Sequence, residues 1–338
     1  MPGGLVYVNP NPILEVLKMK GKAFVIILAA ALCVIITTPF AAMAEDYPSK
    51  PVSMLIPFGA GGSADLMGRA LASGSEAALG QSIVAINRPG AGGGIMYTAL
   101  KNAAPDGYTI GWNSTSILTS TNIGNVPFKY TAFDQVCRIG FTGMPIVVRS
   151  DSNWKTLQEF VDYAKKNPGK IKIGNAGTGS GTHLTAVLFE KAAGIQVIHV
   201  PLGAKRRVPS LLGGEVEAIC VPLPEAAPQV LAGKFRILAM STEDRDPTYK
   251  DVPTMKELGY PVVMELFRGI SVPAGTPEAV IAKLEAAFKK GAQDPGFVGL
   301  ANKNGFNISF MGRAEFEKYM ADQNETVAKA MKLAELVK

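Results

Sequence analysis

Two glycine-rich segments carry the residues with the clearest chemical potential. Residues 57–65 follow an apolar run at 52–56 and precede a helical pattern, and residues 174–183 lie in the same way between a short strand-like run and a helix. A strand that leads through a glycine loop into a helix aims several backbone N–H groups and a helix dipole at one point, which suits a carboxylate or phosphate. Each segment therefore predicts an anion-binding loop.

A single loop of this kind is more often an ordinary tight turn, in which glycine permits positive φ and Ser63 caps the helix. Two copies, about 120 positions apart, change the interpretation, because each returns to another short apolar strand, at 83–86 and at 195–200. The repeat predicts two similar domains whose loops face each other across a cleft.

The rest of the chain alternates short apolar runs with helical patterns, which predicts an α/β fold with doubly wound, mostly parallel sheets. Asn113 and Ser114 follow the strand predicted at 108–112, at the sheet edge where such folds bind ligands. A polar loop held by its own hydrogen bonds is an equally good explanation of these two residues. Residues 117–138 lack periodicity and predict a connecting loop, and 254–258 predicts a short helix.

Two β-like stretches, at 139–149 and 262–272, predict two crossings of the chain between the domains. The first domain is then expected to comprise residues 45–143 and 266–338, and the second residues 144–265. Two domains joined by two crossings form a hinge, and the ligand cleft lies between them.

The N-terminal region has the pattern of a cleaved signal peptide. Three lysines precede an apolar run at 23–36, and 42–44 supplies an Ala-Met-Ala cleavage pattern. An uncleaved membrane anchor is the alternative, but the apolar run is short for a membrane span. We expect Met19 to be the true start, residues 1–18 to be an upstream extension, and the mature, exported chain to begin near Glu45.

The charge of the mature chain is mildly positive, with 31 basic and 27 acidic residues from Glu45 onward. Because the charge is diffuse, nucleic acid is a poor partner, whereas anionic solutes are favoured. The two remaining cysteines, Cys137 and Cys220, favour separate buried thiols, with a disulfide as the alternative.

Catalytic patterns are weak. Ser180 and His183 lie three positions apart at a helix start, but there is no Gly-x-Ser-x-Gly elbow, no metal-ligand spacing and no lysine after a glycine loop for a nucleotide. We therefore predict no catalytic residue, metal or cofactor, and an exported hydrolase or lyase using Ser180 and His183 is the alternative. Asp65 is expected to brace the amides of its loop, His183 to donate a bracing hydrogen bond, and His199 to lie in the core.

Six motifs together resemble the periplasmic receptors of tripartite tricarboxylate transporters, the Bug-type receptors, over residues 47 to about 335. They are Pro-Phe-Gly-Ala-Gly-Gly-Ser-Ala-Asp (57–65), Asn-Arg-Pro-Gly-Ala-Gly-Gly (87–93), Ala-Pro-Asp-Gly-Tyr-Thr (104–109), Leu-Leu-Gly-Gly-Glu-Val (211–216), Asp-Val-Pro-Thr (251–254) and Pro-Ala-Gly-Thr-Pro (273–277). The resemblance implies a monomeric, two-domain, type II-like Venus flytrap. Such a receptor binds a small carboxylated solute and delivers it to integral membrane permease subunits.

The resemblance also implies ligand contacts in both loops, through backbone amides, hydroxyls and bridging waters. By position these contacts fall on Phe58, Gly61, Gly62, Ser63, Asp65, Thr178, Gly179, Ser180, Thr182 and His183. Two departures leave the identity of the acid and its number of carboxylates open. Residues 200–205 replace the usual Val-Pro-Tyr with Val-Pro-Leu, and Cys220-Val-Pro222 stands where the family often has an Asp-rich turn, so that Pro222 is a further candidate.

Overall fold

The computed structural model describes Gly3 and residues 47–337. The predicted signal peptide and the extension before it lie outside the described residues, so cleavage stays a prediction. Within the described part of the chain, no helix combines the length and the apolar composition that a bilayer crossing requires.

Strands and helices alternate along most of the chain. The strands are β1 Val52–Ile56, β2 Ile83–Asn87, β3 Thr109–Ser114, β4 Phe133–Gly143, β5 Ile146–Arg149, β6 Lys172–Asn175, β7 Ile198–Pro201, β8 Ala218–Cys220, β9 Phe235–Ala239, β10 Glu265–Pro273 and β11 Asn307–Met311. The helices are α1 Ser63–Leu79, α2 Gly94–Lys101, α3 Ser116–Asn122, α4 Leu157–Lys166, α5 Gly181–Ala193, α6 Ala204–Leu212, α7 Leu223–Leu231, α8 Glu278–Gly291, α9 Pro295–Asn304 and α10 Arg313–Leu333.

The strands form two sheets, with the orders β11-β4-β10-β3-β1-β2 and β7-β6-β8-β5-β9. Strand β10 lies between β3 and β4 and runs antiparallel to both, and β5 lies in the same way between β8 and β9. The α/β class is confirmed. The sheets are mixed rather than wholly parallel: β10 runs against β3 and β4, β11 runs against β4, and β5 runs against β8 and β9, whereas the other strand pairs are parallel.

The chain crosses between the sheets twice, as predicted. It leaves the first sheet after Gly143 and enters the second at Ile146, and it returns between Ala239 and Glu265. Hydrogen bonds through Ser241 tie the two crossings together, since its Oγ accepts from the Met144 N–H (2.9 Å) and donates to the Met264 carbonyl (2.5 Å). We call the part built on the first sheet lobe 1 and the part built on the second lobe 2. The residue limits of the two domains stay a prediction.

Two local predictions were wrong. Residues 117–138 do not form a loop: α3 begins at Ser116, and β4 occupies the end of the stretch. Most of β4 is buried, so it lacks the polar alternation that marks a half-exposed strand. Residues 254–258 form a turn rather than a helix. Thr254 and Glu257 exchange capping hydrogen bonds, but Gly259, with φ of 87°, ends the turn at once.

Close packing fixes the start of α1 on the first sheet. A Cβ added at Gly68 would lie 2.9 Å from Cδ1 of the buried Trp112, so only glycine allows this approach of helix to strand. The Trp112 Nε1–H also donates to the Ala64 carbonyl at 3.0 Å. These contacts therefore fix the position of the start of α1, and of the loop before it, relative to β3.

The two cysteines are separate buried thiols, as expected. Cys137 lies in β4 of the first sheet and Cys220 in β8 of the second, and both are free. Burial raises the pKa of each thiol above its ordinary value. Both cysteines therefore act as small apolar core residues.

Candidate functional site

The first glycine loop joins β1 to α1 and is braced by Asp65. Its Oδ2 accepts the Gly61 N–H at 3.0 Å, and its Oδ1 accepts from Nε of Arg69 at 2.7 Å. Burial by itself would raise the pKa of Asp65, but hydrogen bonds from Gly61, Asn87 and Arg69 lower it below the ordinary value. This arrangement matches the bracing role expected from the sequence.

Helix α1 is capped differently from the expectation. The N-cap is Gly62, in an extended conformation, and no side chain caps the helix. Ser63 is the first helical residue instead, and the proposal that it caps α1 is wrong. Its hydroxyl is buried and makes no hydrogen bond to any described residue.

The second glycine loop joins β6 to α5 and is braced by its own side chains. Ser180 is the N-cap, and its Oγ accepts the backbone N–H of His183 at 3.2 Å. Thr182 Oγ1 accepts the Ala176 N–H at 3.0 Å, and Asn175 Oδ1 accepts the Gly177 N–H at 2.9 Å. The loop is therefore held in shape from both ends.

The two histidines lie together behind this loop. His183 Nδ1 accepts the Gly179 N–H at 3.4 Å, so His183 braces the loop as an acceptor rather than as the expected donor. Burial, with a smaller contribution from His199, lowers the pKa of His183 to about 4, and its ring is neutral at pH 7. His199 is half-buried and paired with Glu190 at 2.8 Å, which corrects the expectation of a core histidine.

The two loops meet at one pocket, whose cavity is about 20 Å³ and so has room for about one water molecule. It includes the first turns of α1 and α5, so two helix N-termini converge there. Seven of the predicted site residues line the pocket: Phe58, Gly62, Ser63, Ser114, Ser180, Thr182 and Pro222.

The other predicted residues are placed around this pocket. Thr178 lines an adjoining pocket that also includes residues 89–93. Gly61 and Gly179 donate the bracing hydrogen bonds already described, to Asp65 and His183. The Asn113 amide binds Gln135 and Ser271 in the core of lobe 1, so it supports the sheet rather than the pocket lining.

Glycines of lobe 1 touch lobe 2 directly. A Cβ added at Gly62 would lie 3.0 Å from Cβ of Ala204, and one added at Gly92 would lie 3.1 Å from the carbonyl oxygen of Thr178. Gly92 also has φ of 62°, which favours glycine. The lobes therefore meet in a closed arrangement, with glycine at the points of contact.

Sequence reasoning missed the charged residues of the pocket. Arg207 and Glu225 form a buried bidentate ion pair, with Nε–Oε1 at 2.7 Å and Nη2–Oε2 at 2.6 Å. Arg207 also donates to the Leu202 carbonyl at 3.1 Å. The pair is neutral overall, and it lines the lobe 2 side of the pocket.

Arg268, in β10, is the third charged residue of the lining. Its side chain is 1% exposed, and Nε and Nη1 have no hydrogen-bond partner among the described residues. Burial lowers the pKa of its guanidinium to about 10, partly offset by Tyr97 and Glu225, so it stays charged at neutral pH. The signal in the sequence was an arginine within a mostly apolar predicted strand. Arginine is almost never fully buried unless it is paired, so an arginine at such a position indicates a partner for its charge.

Ser180 and His183 are not arranged as a nucleophile and its general base. The Ser180 hydroxyl engages the His183 backbone and Thr182 Oγ1 (3.1 Å), while the imidazole binds the Gly179 amide. A serine nucleophile needs a base on its own hydroxyl. In the part of the chain that the structure describes, no cluster of His, Cys, Asp or Glu is arranged to hold a metal ion.

Two mixed α/β lobes, joined by two crossings and closed over a pocket, define a periplasmic-type solute-binding receptor. The chain belongs to the tripartite tricarboxylate transporter family receptors, whose family model matches residues 67–336. A UPF0065 protein from the gbd 5' region of Cupriavidus necator is 33% identical over 301 residues, which cover 88% of this chain and 90% of that protein.

Solved structures show the same fold. The periplasmic binding protein BugD is 30% identical, with a TM-score of 0.82 over 86% of this chain and all of that one (100%). MatC from Rhodopseudomonas palustris, solved with bound malate, has a TM-score of 0.77 at 24% identity, over 86% of this chain and 100% of that one. The likeness to MatC is one of fold. The family is thus one of periplasmic solute receptors.

Proposed function

We propose that this protein is an exported receptor that captures a small carboxylated solute between its lobes and delivers it to the integral membrane permease subunits of a tripartite tricarboxylate-type transporter. The observation that carries the proposal is the pocket at which two glycine loops, one from each sheet, converge. Family membership supports the receptor role and the transporter partner.

The chemistry of the pocket suits an anion. The N-termini of α1 and α5 both contribute to its wall, and helix N-termini attract negative charge through unpaired N–H groups and the helix dipole. The hydroxyls of Ser63, Ser180 and Thr182 lie in the same lining. Phe58 and Leu266 provide apolar surface for the carbon skeleton of the ligand.

Ligand binding acts on the hinge. Residues 45–143 with 266–338, and residues 144–265, move as two bodies about the crossings in this proposal. A ligand that touches both lobes favours the closed state, and the permease recognises that state. The receptor works as a monomer, since one chain supplies both walls of the pocket.

The direct test is a thermal unfolding screen of the mature protein, residues 45–338, against small mono-, di- and tricarboxylates. A receptor is stabilised by its ligand, by about 2.7 kcal/mol when the ligand is present at 100 times its Kd. We expect at least one acid to raise Tm without being consumed. No shift with any acid contradicts the receptor function, and product formation that Ser180→Ala abolishes establishes the hydrolase alternative instead.

Export through a cleaved signal peptide has its own test. Expression of the full chain in a Gram-negative host should place the protein in the periplasmic fraction. N-terminal sequencing of that fraction should begin near Glu45, and a product that retains residues 23–36 would contradict cleavage.

A further inference from the structure

We propose that Arg268 is the primary carboxylate-binding residue of the pocket, so that the deeply buried end of the ligand is its anionic end. The inference rests on the proposed receptor function and specifies which group recognises the acid. It departs from the expectation that backbone amides, hydroxyls and bridging waters of the two glycine loops make the carboxylate contacts.

The position of Arg268 is the first support. Strand β10 lies in the middle of the first sheet, and Arg268 pairs with Ser114 on β3 and with Gly140 on β4. The side chain is 1% exposed and contributes to the pocket lining. The guanidinium is thus presented to the pocket from the sheet beneath it, and not from a mobile surface loop.

The unused hydrogen-bonding capacity of Arg268 is the second support. Nε and Nη1 are buried and bind no described residue, and the ring of Trp112 has its centroid 6.0 Å from the guanidinium carbon. A buried charge is costly unless it is paired and hydrogen-bonded. A ligand carboxylate supplies both the opposite charge and the acceptors, in the bidentate geometry that arginine favours.

The neighbouring charges do not neutralise Arg268. Both carboxylate oxygens of Glu225 are engaged by Arg207, in the ion pair that lines the opposite wall. The Tyr97 hydroxyl is bonded to Ser116 at 2.6 Å, and the burial-raised pKa of Tyr97 keeps it neutral. The charged side chains of the lining therefore sum to one positive charge, which a single carboxylate balances.

Ser63 provides a second, independent donor in the same pocket. Its side chain is 3% exposed, and its hydroxyl makes no hydrogen bond to any described residue. Ser63 is also the first residue of α1, at the positive end of the helix dipole. An unpaired hydroxyl, a helix N-terminus and a guanidinium with two unpaired nitrogens thus belong to one pocket lining, where in this proposal they bind the same carboxylate group.

The experiment compares acids with their uncharged amides. Succinate, benzoate, succinamide and benzamide are titrated calorimetrically into wild type, Arg268→Gln and Arg268→Lys, together with the acid that the thermal screen ranks first and its amide. We expect wild type to prefer the acid, and Arg268→Gln to lose about 30-fold or more in affinity for the acid while the amide is little affected. Arg268→Lys should retain part of the preference, because it keeps the charge and loses the bidentate geometry.

Arg138 provides a matched control. It is also a buried strand arginine, 4% exposed, with an unpaired Nε, but it packs against Phe141 and Tyr319 and does not line the pocket. Arg138→Gln should therefore lose stability without losing the preference for acid over amide.

The outcomes are distinct. An Arg268→Gln protein that keeps the preference for the acid overturns the inference while leaving the receptor function intact, whereas a wild type that binds no acid contradicts the receptor function itself. If Arg268→Gln does not fold, Arg268→Lys carries the test. Its affinity for the acid should fall about tenfold through loss of the bidentate geometry while the amide is little affected, and an affinity for the acid equal to that of wild type overturns the inference.

Discussion

The glycine contact between the lobes leads to a sharp prediction for Gly62→Ala. Gly62 has φ of −89° and ψ of 173°, a conformation that alanine adopts without strain. The added Cβ would lie 3.0 Å from Cβ of Ala204 on the other lobe, whereas carbon atoms in favourable contact are about 3.5–4.0 Å apart. The substitution therefore forces the lobes apart at this point by about 0.5–1 Å, relative to those contact distances.

This overpacking destabilises only the closed state of the protein. Overpacked sites typically lose about 1–3 kcal/mol, and an open cleft avoids the contact completely. Since the ligand binds the closed state, its affinity should fall about 5- to 150-fold. The stability of the ligand-free protein should change little, because opening of the cleft relieves the contact.

Isothermal titration of the ligand found in the thermal screen measures the effect. Gly59→Ala is the matched control, since a Cβ there would lie 3.6 Å from the same Ala204 Cβ, an ordinary contact, and should cost much less. Ala204→Gly in the Gly62→Ala background should restore affinity by removing the atom that clashes. Affinity of Gly62→Ala within twofold of wild type would refute the reasoning that ligand binding requires this closed arrangement.

Three further predictions concern stability. Glu225→Gln should cost about 3–5 kcal/mol in urea unfolding, because it leaves Arg207 as a second buried cation without an opposite charge; a loss below about 1 kcal/mol would show that the pair is solvated. The free energy of unfolding should fall as the pH is lowered from 6.5 towards 4, because the unfolded chain protonates His183 first, and in His183→Gln this part of the pH dependence should be absent. Thr156→Ala should cost about 1 kcal/mol by removing the capping box of α4, and any change in ligand affinity would contradict its purely structural role.

The parts of the fold that were predictable from the sequence are those encoded locally. The two strand–loop–helix segments, and the helix that begins after Thr156, each carry their own start and stop residues. Helix α3 was missed because its apolar residues Ile117 and Leu118 are adjacent rather than spaced at a helical period, and Ser, Thr and Asn surround them. Tertiary burial, not periodicity, stabilises this helix.

The charged part of the site depends on contacts between distant segments. Arg207 belongs to a basic cluster, Lys205-Arg206-Arg207, that resembles an exposed face, yet it is buried by pairing with Glu225, 18 positions away. Arg268 reaches the pocket only because β10 is inserted between β3 and β4, which no local pattern specifies. Sequence reasoning thus located the loops but missed the charges between them.

The insertion of β10 also sets an order for folding as the chain emerges from N- to C-terminus. Every strand of the second sheet is present once residue 239 is available, so that sheet needs no later part of the chain for its pairing. The first sheet, in contrast, lacks the strand between β3 and β4 until residues 265–273 arrive, although it began to appear earlier. The second sheet therefore has all its strands before the first sheet does, and because Arg268 belongs to the missing strand, the pocket lining is incomplete until β10 is available.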